Sequence, residues 1–237
     1  DIARALQGCV YNKFKSSEEL ISIMPIYFLI NDETKVKDPK NIIANKLTAK
    51  SVIVTTPKKN VYSVLTCLEK LNIEVIDITL NSIGDYYANN YNDLNDKVGA
   101  IVNIGHETTT VSIFNKGVLT NTNIIDLGGK NVENDISFIY KINKNDAHNL
   151  KEKLSLAHKR LAQASEVEKV TNKLGEEIKV NQYEISEIVM SRLLEILKLV
   201  KKEINLLTKK EISYIIFTGG VTESLDFELV LESVYGK

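Results

Sequence analysis

The chain has 237 residues, of which 43% are hydrophobic and 26% charged, a composition typical of one large or two small globular domains. The net charge is −1, from 30 basic and 31 acidic residues, so we expect no nucleic-acid partner. No apolar run approaches the roughly 20 residues that span a bilayer. The two cysteines, Cys9 and Cys67, lie among apolar neighbours without a metal or redox spacing, which predicts small buried side chains.

The first 80 residues show strand and helix patterns in alternation. Residues 19–32 (ELISIMPIYFLIND) predict a strand interrupted at Pro25, as at an edge or bulge. Residues 41–57 predict a second, bent strand, and residues 60–72 an amphipathic helix. Residues 73–80 (IEVIDITL) predict the strand that closes a β-α-β unit. The polar stretch 81–96 predicts a helix that ends in a loop and marks a hinge or boundary.

The remaining sequence continues the alternation. Residues 98–119 predict two strands joined by a tight turn, and residues 119–129 a third strand followed by a helix over 132–142. A charged span from about 145 to 168 predicts helix, and residues 172–180 a polar turn. A long amphipathic helix is predicted from about 186 to 207 and a buried strand over 212–221. Together these elements predict the α/β fold class.

The turn over residues 103–109 (NIGHETT) has the features of a phosphate-binding hairpin. A tight turn can present its backbone N–H groups as an anion nest, in which Gly105 permits close approach and the hydroxyl groups of Thr108 and Thr109 add donors. A carboxylate at the first position would hold a hydrated metal ion, but Asn103 is neutral. Glu107 would repel phosphates, so we expect it to point away. The alternative is a plain hairpin with a polar turn.

Two glycine pairs follow predicted strands. Gly128 and Gly129 end one strand and begin a helix, whereas Gly219, Gly220 and Val221 follow the last strand. Glycines at the carboxyl end of a strand let a flat ring lie against the main chain, on the usual ligand side of an open α/β sheet. A tight turn explains a single pair equally well, but three such corners in this order are improbable by chance.

The sequence resembles the actin-like ATPase superfamily and, within it, the FtsA family of bacterial cell-division proteins. The similarity is carried by NIGHETTTVSIFNKGVL, LGGKNVENDI and IIFTGGV, and upstream by segments similar to the family's 1C subdomain. It implies an actin-like (ribonuclease H-like) fold with a small α/β, SHS2-type 1C subdomain at 1–80, a connecting helix at 81–97 and a second actin-like domain at 98–237. Residues 132–182 would form the helical subdomain of that domain. Because the chain begins with Asp1 and not Met, we expect a fragment, and the resemblance implies that it lacks the family's N-terminal phosphate motif and C-terminal membrane helix.

The resemblance implies that the full-length protein binds ATP and Mg²⁺ through the turn and the two glycine pairs. Family members usually read Asp-x-Gly-Gly-Gly-Thr where this sequence has Asn103, His106 and Glu107, so we expect weak or lost hydrolysis. Relatives often place Glu-x-x-Lys against the ribose and adenine. Here His148 and Lys151 occupy these positions, and only the lysine matches. The alternative for His148 is a solvated helix residue, and three scattered histidines predict no metal site.

The resemblance also implies a scaffold at the cytoplasmic face of the membrane at the division septum. Such a protein self-associates into filaments, binds the C-terminal peptide of FtsZ through its helical subdomain and contacts later division proteins through 1C. It reaches the membrane only through the C-terminal helix. Arg192 would pair with an acidic group of the peptide, or is simply a solvated helix residue. The alternatives are a PilM-like type IV pilus assembly protein and a sugar-kinase-like phosphotransferase, for which we find no catalytic Asp beside a sugar pocket.

Overall fold

The structure, a computed structural model, describes residues 1–11, 13–89 and 92–236. The chain forms two compact units. The first comprises residues 1–96 and 115–120, and the second comprises residues 97–114 and the chain from residue 121 onward. The predicted three-part division into 1C subdomain, connecting helix and second domain stays a prediction. Its boundary loop includes residues 90 and 91, which lie outside the described residues.

The first unit is built on a three-stranded antiparallel sheet of order β2-β1-β3. Its elements are α1 (Ile2–Val10), β1 (Glu18–Ile30), β2 (Thr34–Val36), β3 (Leu47–Pro57), α2 (Lys58–Lys70) and α3 (Asn81–Ala88). The predicted interruption at Pro25 is confirmed, since the β1–β3 register shifts between Pro25 and Tyr27. Strand β2 pairs only with Phe28–Ile30, so the missing N–H of Pro25 costs no hydrogen bond to β2.

Three predictions for this unit are wrong. Residues 73–80 form no strand, because no sheet edge among the described residues pairs with them, and Ile76 is 95% exposed. Strand β3 begins only at Leu47, since the Asn31 side chain accepts hydrogen bonds from the Asn45 and Lys46 amides and keeps these two residues outside the strand. Cys67 is exposed on α2, because local apolar neighbours do not decide which face of a helix is buried.

The second unit is built on a four-stranded sheet of order β6-β5-β4-β9, in which β9 lies parallel to β4. The sheet consists of β4 (Val98–Ile104), β5 (Thr109–Asn115), β6 (Val118–Ile125) and β9 (Tyr214–Thr218), of which Asn115 and residues 118–120 are counted with the first unit. A separate hairpin consists of β7 (Val167–Thr171) and β8 (Glu177–Asn181). Its helices are α4 (Gly129–Tyr140), α5 (Lys144–Leu154), α6 (Gln182–Leu207) and α7 (Phe227–Tyr235). Among the helices that the structure describes, none is long and apolar enough to cross a membrane.

The core of this unit joins the inner strands to the helices. Apolar side chains of β4 and β5 belong to one buried cluster with those of α4 and α6; among its members are Val102, Ile104, Val111, Ile136, Ile196 and Val200. Burial of this cluster removes a large apolar area from water. It therefore fixes the ends of β4 and β9 relative to the start of α4, where the glycine corners lie.

The predicted helix over 145–168 is wrong in its second half. Helix α5 ends at Leu154, and the chain continues through a short 3₁₀ turn (Lys159–Leu161) into β7. The Ala157 N–H donates to the Leu225 carbonyl at 2.8 Å, which holds the chain away from helical geometry. His158 caps the 3₁₀ turn and does not lie on a helix. The predicted polar turn lies within the β7–β8 hairpin. Pairing between these two strands overrides the helix propensity at the end of the predicted helix.

Candidate functional site

The corner after β4 and the start of α4 are in direct contact. The Gly105 carbonyl accepts the Gly129 N–H at 3.0 Å, and the His106 carbonyl accepts the Lys130 N–H at 2.7 Å. A Cβ atom on Gly128 would lie 2.5 Å from the Gly105 carbonyl oxygen, a distance that real side chains do not adopt. Glycine is therefore required at 128 by the close approach of the two backbones.

The corner after β9 lies against the same end of β4. Asn103 is opposite Thr218 in the parallel β4–β9 pair. Gly219 has φ +98°, and a Cβ there would lie 2.5 Å from the Ile104 carbonyl oxygen and 2.6 Å from Asn103 Oδ1. In addition, a Cβ on Gly129 would lie 3.1 Å from the Val221 side chain. The three glycine corners predicted from the sequence thus meet at one place.

A cavity of about 450 Å³ opens beside these corners. Its walls come from α4, α5, α6 and the 3₁₀ turn Gly220–Glu223, and its lining residues include Val132, Glu152, Ser155, Val189, Leu193, Glu223, Ser224 and Leu225. An apolar wall with a few converging polar groups, in this range of volume, is the usual form of a small-molecule site.

The structure brings most of the predicted site residues to this cavity or immediately behind it. Six of them line it: His106, Gly129, His148, Lys151, Gly220 and Val221. Four others form the backbone corners next to it: Asn103, Gly105, Gly128 and Gly219. The remaining three, Glu107, Thr108 and Thr109, belong to the turn but do not line the cavity.

The turn itself can offer an anion fewer donors than its sequence indicates. Thr109 is fully buried, and its hydroxyl donates to the Leu127 carbonyl at 2.8 Å. The prediction of Thr109 as a direct phosphate donor is therefore corrected, since this hydroxyl positions the end of β6. The amides of residues 106–108 have no partner among the described residues, and Thr108 is exposed.

Glu107 is held by a lysine at the start of α4. Its carboxylate accepts a hydrogen bond from Lys130, and this bond lowers the pKa of Glu107 below its ordinary value. The charge that would oppose phosphates is thereby paired with a cation.

Glu133 is the site residue that sequence reasoning missed. Its side chain is 11% exposed, and Oε1 accepts hydrogen bonds from Lys151 Nζ at 2.7 Å and His148 Nδ1 at 2.9 Å. Burial raises the pKa of Glu133, but the hydrogen bonds from His148 and Lys151 outweigh it and leave the pKa below its ordinary value. The sequence feature that could have revealed Glu133 is its position as an acidic residue on the apolar face of α4, beside Val132 and one turn before Ile136.

Arg192, predicted to bind a partner peptide, lies on α6 and is already paired. Its Nε and Nη2 donate to the two carboxylate oxygens of Asp135 at 2.8 Å each, and Nη1 donates to Glu195. The alternative of a solvated helix arginine is wrong, because the side chain is only 23% exposed. A second groove, of about 440 Å³, lies beside this pair between α4 and α6.

A magnesium site built on protein carboxylates does not fit the residues present. Within residues 1–11, 13–89 and 92–236 no three His, Cys, Asp or Glu side chains cluster as metal ligands do. At the end of β4 the first position of the turn supplies the Asn103 amide, a weaker ligand for a hard cation than a carboxylate.

Comparison with known proteins identifies the family. A family model described as "Cell division protein FtsA" matches residues 100–224, which is more than half of the chain and includes nearly all of the cavity lining. The chain belongs to the FtsA family.

Curated FtsA proteins match beyond that segment. FtsA of Bacillus subtilis is 28% identical over 206 residues, which cover 86% of this chain and 47% of that protein. FtsA of Pseudomonas aeruginosa is 25% identical over 227 residues, which cover 94% of this chain and 54% of that protein. The chain thus spans about half the length of these curated FtsA relatives.

Solved structures confirm the predicted fold class. MreB5 of Spiroplasma citri bound to ADP has a TM-score of 0.64 at 16% identity, covering 76% of this chain and 59% of that one. The PilM-PilN type IV pilus biogenesis complex has a TM-score of 0.64 at 13% identity, covering 99% of this chain and 59% of that one. At such low sequence identities, the structural similarity establishes only the fold, which is actin-like. The FtsA match, in contrast, favours the FtsA prediction over the PilM alternative.

Proposed function

We propose that this chain contributes the ATP-binding cavity of an actin-like cell-division scaffold. The observation that carries the proposal is the meeting of the Gly105, Gly129 and Gly219 corners beside a cavity that Lys151 lines. His106, whose amide has no partner among the described residues, and Lys151 both line the cavity and supply donors for anionic and hydroxyl groups. The apolar wall formed by Val132, Val189, Leu193 and Val221 supplies a surface for a nucleobase.

The test is titration with a fluorescent ATP analogue. Replacement of Lys151 by Ala should weaken binding at least tenfold, because a hydrogen bond to a charged group contributes about 1.5–3 kcal/mol. The matched control is Lys153→Ala, which removes a lysine from the same helix that is 61% exposed and paired with Glu168 outside the cavity. No measurable binding, or equal losses in both variants, would contradict the proposal.

The same titration measures the contribution of magnesium. With an amide at position 103, we propose that affinity changes less than about threefold when magnesium is removed, and that hydrolysis is weak or lost. A large response to magnesium would show that other groups place the ion and would overturn this part of the proposal.

The groove between α4 and α6 is our candidate for the C-terminal peptide of FtsZ. Phe138 and Ile139 are 84% and 53% exposed at the groove, and the Asp135–Arg192 pair lies beside them. Aromatic and arginine side chains are enriched among the residues that carry most of the binding energy at interfaces. An incoming carboxylate would have to compete with Asp135 for Arg192, so apolar contacts should carry most of the affinity.

Peptide titration tests this assignment. Phe138→Ser should weaken binding of the FtsZ peptide at least tenfold, whereas Leu206→Ser, which removes a 61% exposed apolar side chain of α6 that does not line the groove, should leave it unchanged. A pilus-protein peptide serves as the negative control. Tighter binding of that peptide would favour the PilM alternative.

The remaining assignments rest on family membership. We assign self-association into filaments, contacts of residues 1–80 with later division proteins, and a position at the cytoplasmic face of the septal membrane. Each belongs to the protein as a whole, and sedimentation and septal localisation of the complete protein would test them.

A further inference from the structure

The buried carboxylate of Glu133 has a defined geometry that the proposed function does not use. It lies on α4, and its Oε1 accepts from Lys151 Nζ at 2.7 Å and His148 Nδ1 at 2.9 Å. Both partners line the cavity, whereas Glu133 does not. Glu133 therefore acts on the cavity through these two side chains.

The pairing fixes which ring nitrogen of His148 carries the proton. An ionised carboxylate can only accept hydrogen bonds, and a neutral imidazole has a single N–H. In the neutral ring, the contact with Glu133 therefore requires the proton on Nδ1, which leaves Nε2 with its lone pair. Nε2 has no protein partner within the described residues, and the side chain is half-exposed at the cavity wall.

Lys151 presents the opposite polarity at the same wall. Its side chain is 20% exposed, and the ammonium group donates to Glu133 and forms an ion pair with Glu152 at 3.3 Å. An ammonium has three N–H donors, so one remains for a ligand. The wall thus combines one acceptor, His148 Nε2, with one donor, Lys151 Nζ, on residues three apart on one helix face.

We propose that Glu133 is a positioning residue that holds His148 in the Nδ1–H tautomer, and that the resulting acceptor–donor pair selects ligands with two adjacent hydroxyl groups. One hydroxyl donates to His148 Nε2 and its neighbour accepts from Lys151. A ligand without one of these hydroxyls leaves a polar group of the wall unpaired. The inference rests on the proposed nucleotide site, in which the adjacent hydroxyls are those of ribose.

The first experiment measures selectivity. ATP, 2′-deoxy-ATP and inorganic triphosphate are titrated into the wild type, Glu133→Leu and Glu168→Gln. The wild type should bind ATP roughly tenfold more tightly than 2′-deoxy-ATP, from one net hydrogen bond. Glu133→Leu, which removes the acceptor of both hydrogen bonds, should bring this ratio close to one without a loss of triphosphate affinity. Glu168→Gln, which removes a carboxylate paired with Lys153 outside the cavity, should keep the ratio.

The second experiment observes the tautomer in the ligand-free chain. A two-bond ¹H–¹⁵N correlation spectrum, assigned with His148→Phe, should show His148 protonated on Nδ1 in the wild type. In Glu133→Leu, which offers no acceptor, the proton should move largely to Nε2, the form that free histidine prefers. If Glu133→Leu fails to fold, His148→Phe replaces it in the selectivity assay and should abolish the preference.

The outcomes separate this inference from the proposed function. Failure of the wild type to bind ATP would overturn the proposed function and the selectivity with it, whereas the tautomer measurement would still decide the positioning role of Glu133. ATP binding with an unchanged selectivity ratio in Glu133→Leu, or an unchanged His148 spectrum in that variant, would overturn the inference alone.

Discussion

At the scale of single residues, Gly219 is restricted in two independent ways. Its φ of +98° disfavours any side chain, and a Cβ would meet the Ile104 carbonyl at 2.5 Å. Gly175, in the turn of the β7–β8 hairpin, has a similar φ of +82° but open space around it. The two positions therefore separate the cost of backbone conformation from the cost of steric overlap.

Alanine substitution at these two glycines should have unequal effects on stability. Gly175→Ala should lower the free energy of unfolding by about 1 kcal/mol, the cost of a left-handed conformation. Gly219→Ala should lower it by at least about 3 kcal/mol, because the strand end must also move. Urea denaturation measures both changes. Equal losses would contradict the close approach of β9 and β4.

Glu133 shows which part of the site a single sequence does not reveal. The glycine corners were predictable because close backbone approach leaves few residue types possible. The role of Glu133 depends instead on the placement of α5 against α4, which brings Lys151 and His148 to it. Nothing in the local pattern of α4 specifies that placement.

At the scale of elements, the success of prediction follows the source of each element's stability. Strand β1 and helix α6 were predictable because their own apolar patterns determine the buried face. The segments 73–80 and 155–168 were not, because their conformations depend on partners distant in sequence. The first lacks a strand partner in the described structure, and the second is held by the Leu225 carbonyl and the β7–β8 hairpin.

The start of α6 illustrates a local signal with a measurable energy. The helix begins at Gln182, earlier than its apolar pattern predicts, because the Asn181 side chain accepts the Glu184 N–H at 2.9 Å. Asn181→Ala should lower the free energy of unfolding by about 1 kcal/mol, whereas Asn181→Asp should retain the cap.

Asn205, exposed in the last turn of the same helix, is the control position for this measurement. Because its side chain caps no helix start, Asn205→Ala should change stability by less than about 0.5 kcal/mol. Thermal denaturation compares the variants. A loss at Asn205 as large as that at Asn181 would argue against the capping role.

At the scale of the whole molecule, the two units differ in the size of their buried apolar cores. In the first unit the buried apolar side chains among the described residues are Phe28, Ile30, Tyr86 and Leu119, and each keeps a small exposed fraction. The second unit contains a much larger cluster, which extends from β4 and β5 to α6 and α7. Burial of apolar area is the main stabilising term, so local stability should differ between the units.

Hydrogen exchange followed by mass spectrometry should resolve this difference. Peptides from β4, β5 and α6 should exchange at least roughly tenfold more slowly than peptides from β1 and β3. ATP, if bound, should slow exchange in α4 and α5 and leave β1 and β3 unchanged. Uniform protection across both units would contradict the expected order of stability.

Helix α4 touches both the cavity and the groove. Its first two amides are bonded to the Gly105 and His106 carbonyls, and further along the same short helix Asp135 holds Arg192 while Phe138 faces the groove. An α-helix of this length behaves as a stiff rod with a rise of about 1.5 Å per residue. Any displacement that a ligand imposes at its N-terminus must therefore tilt or translate the surface offered to a peptide some three turns away, without an additional moving part.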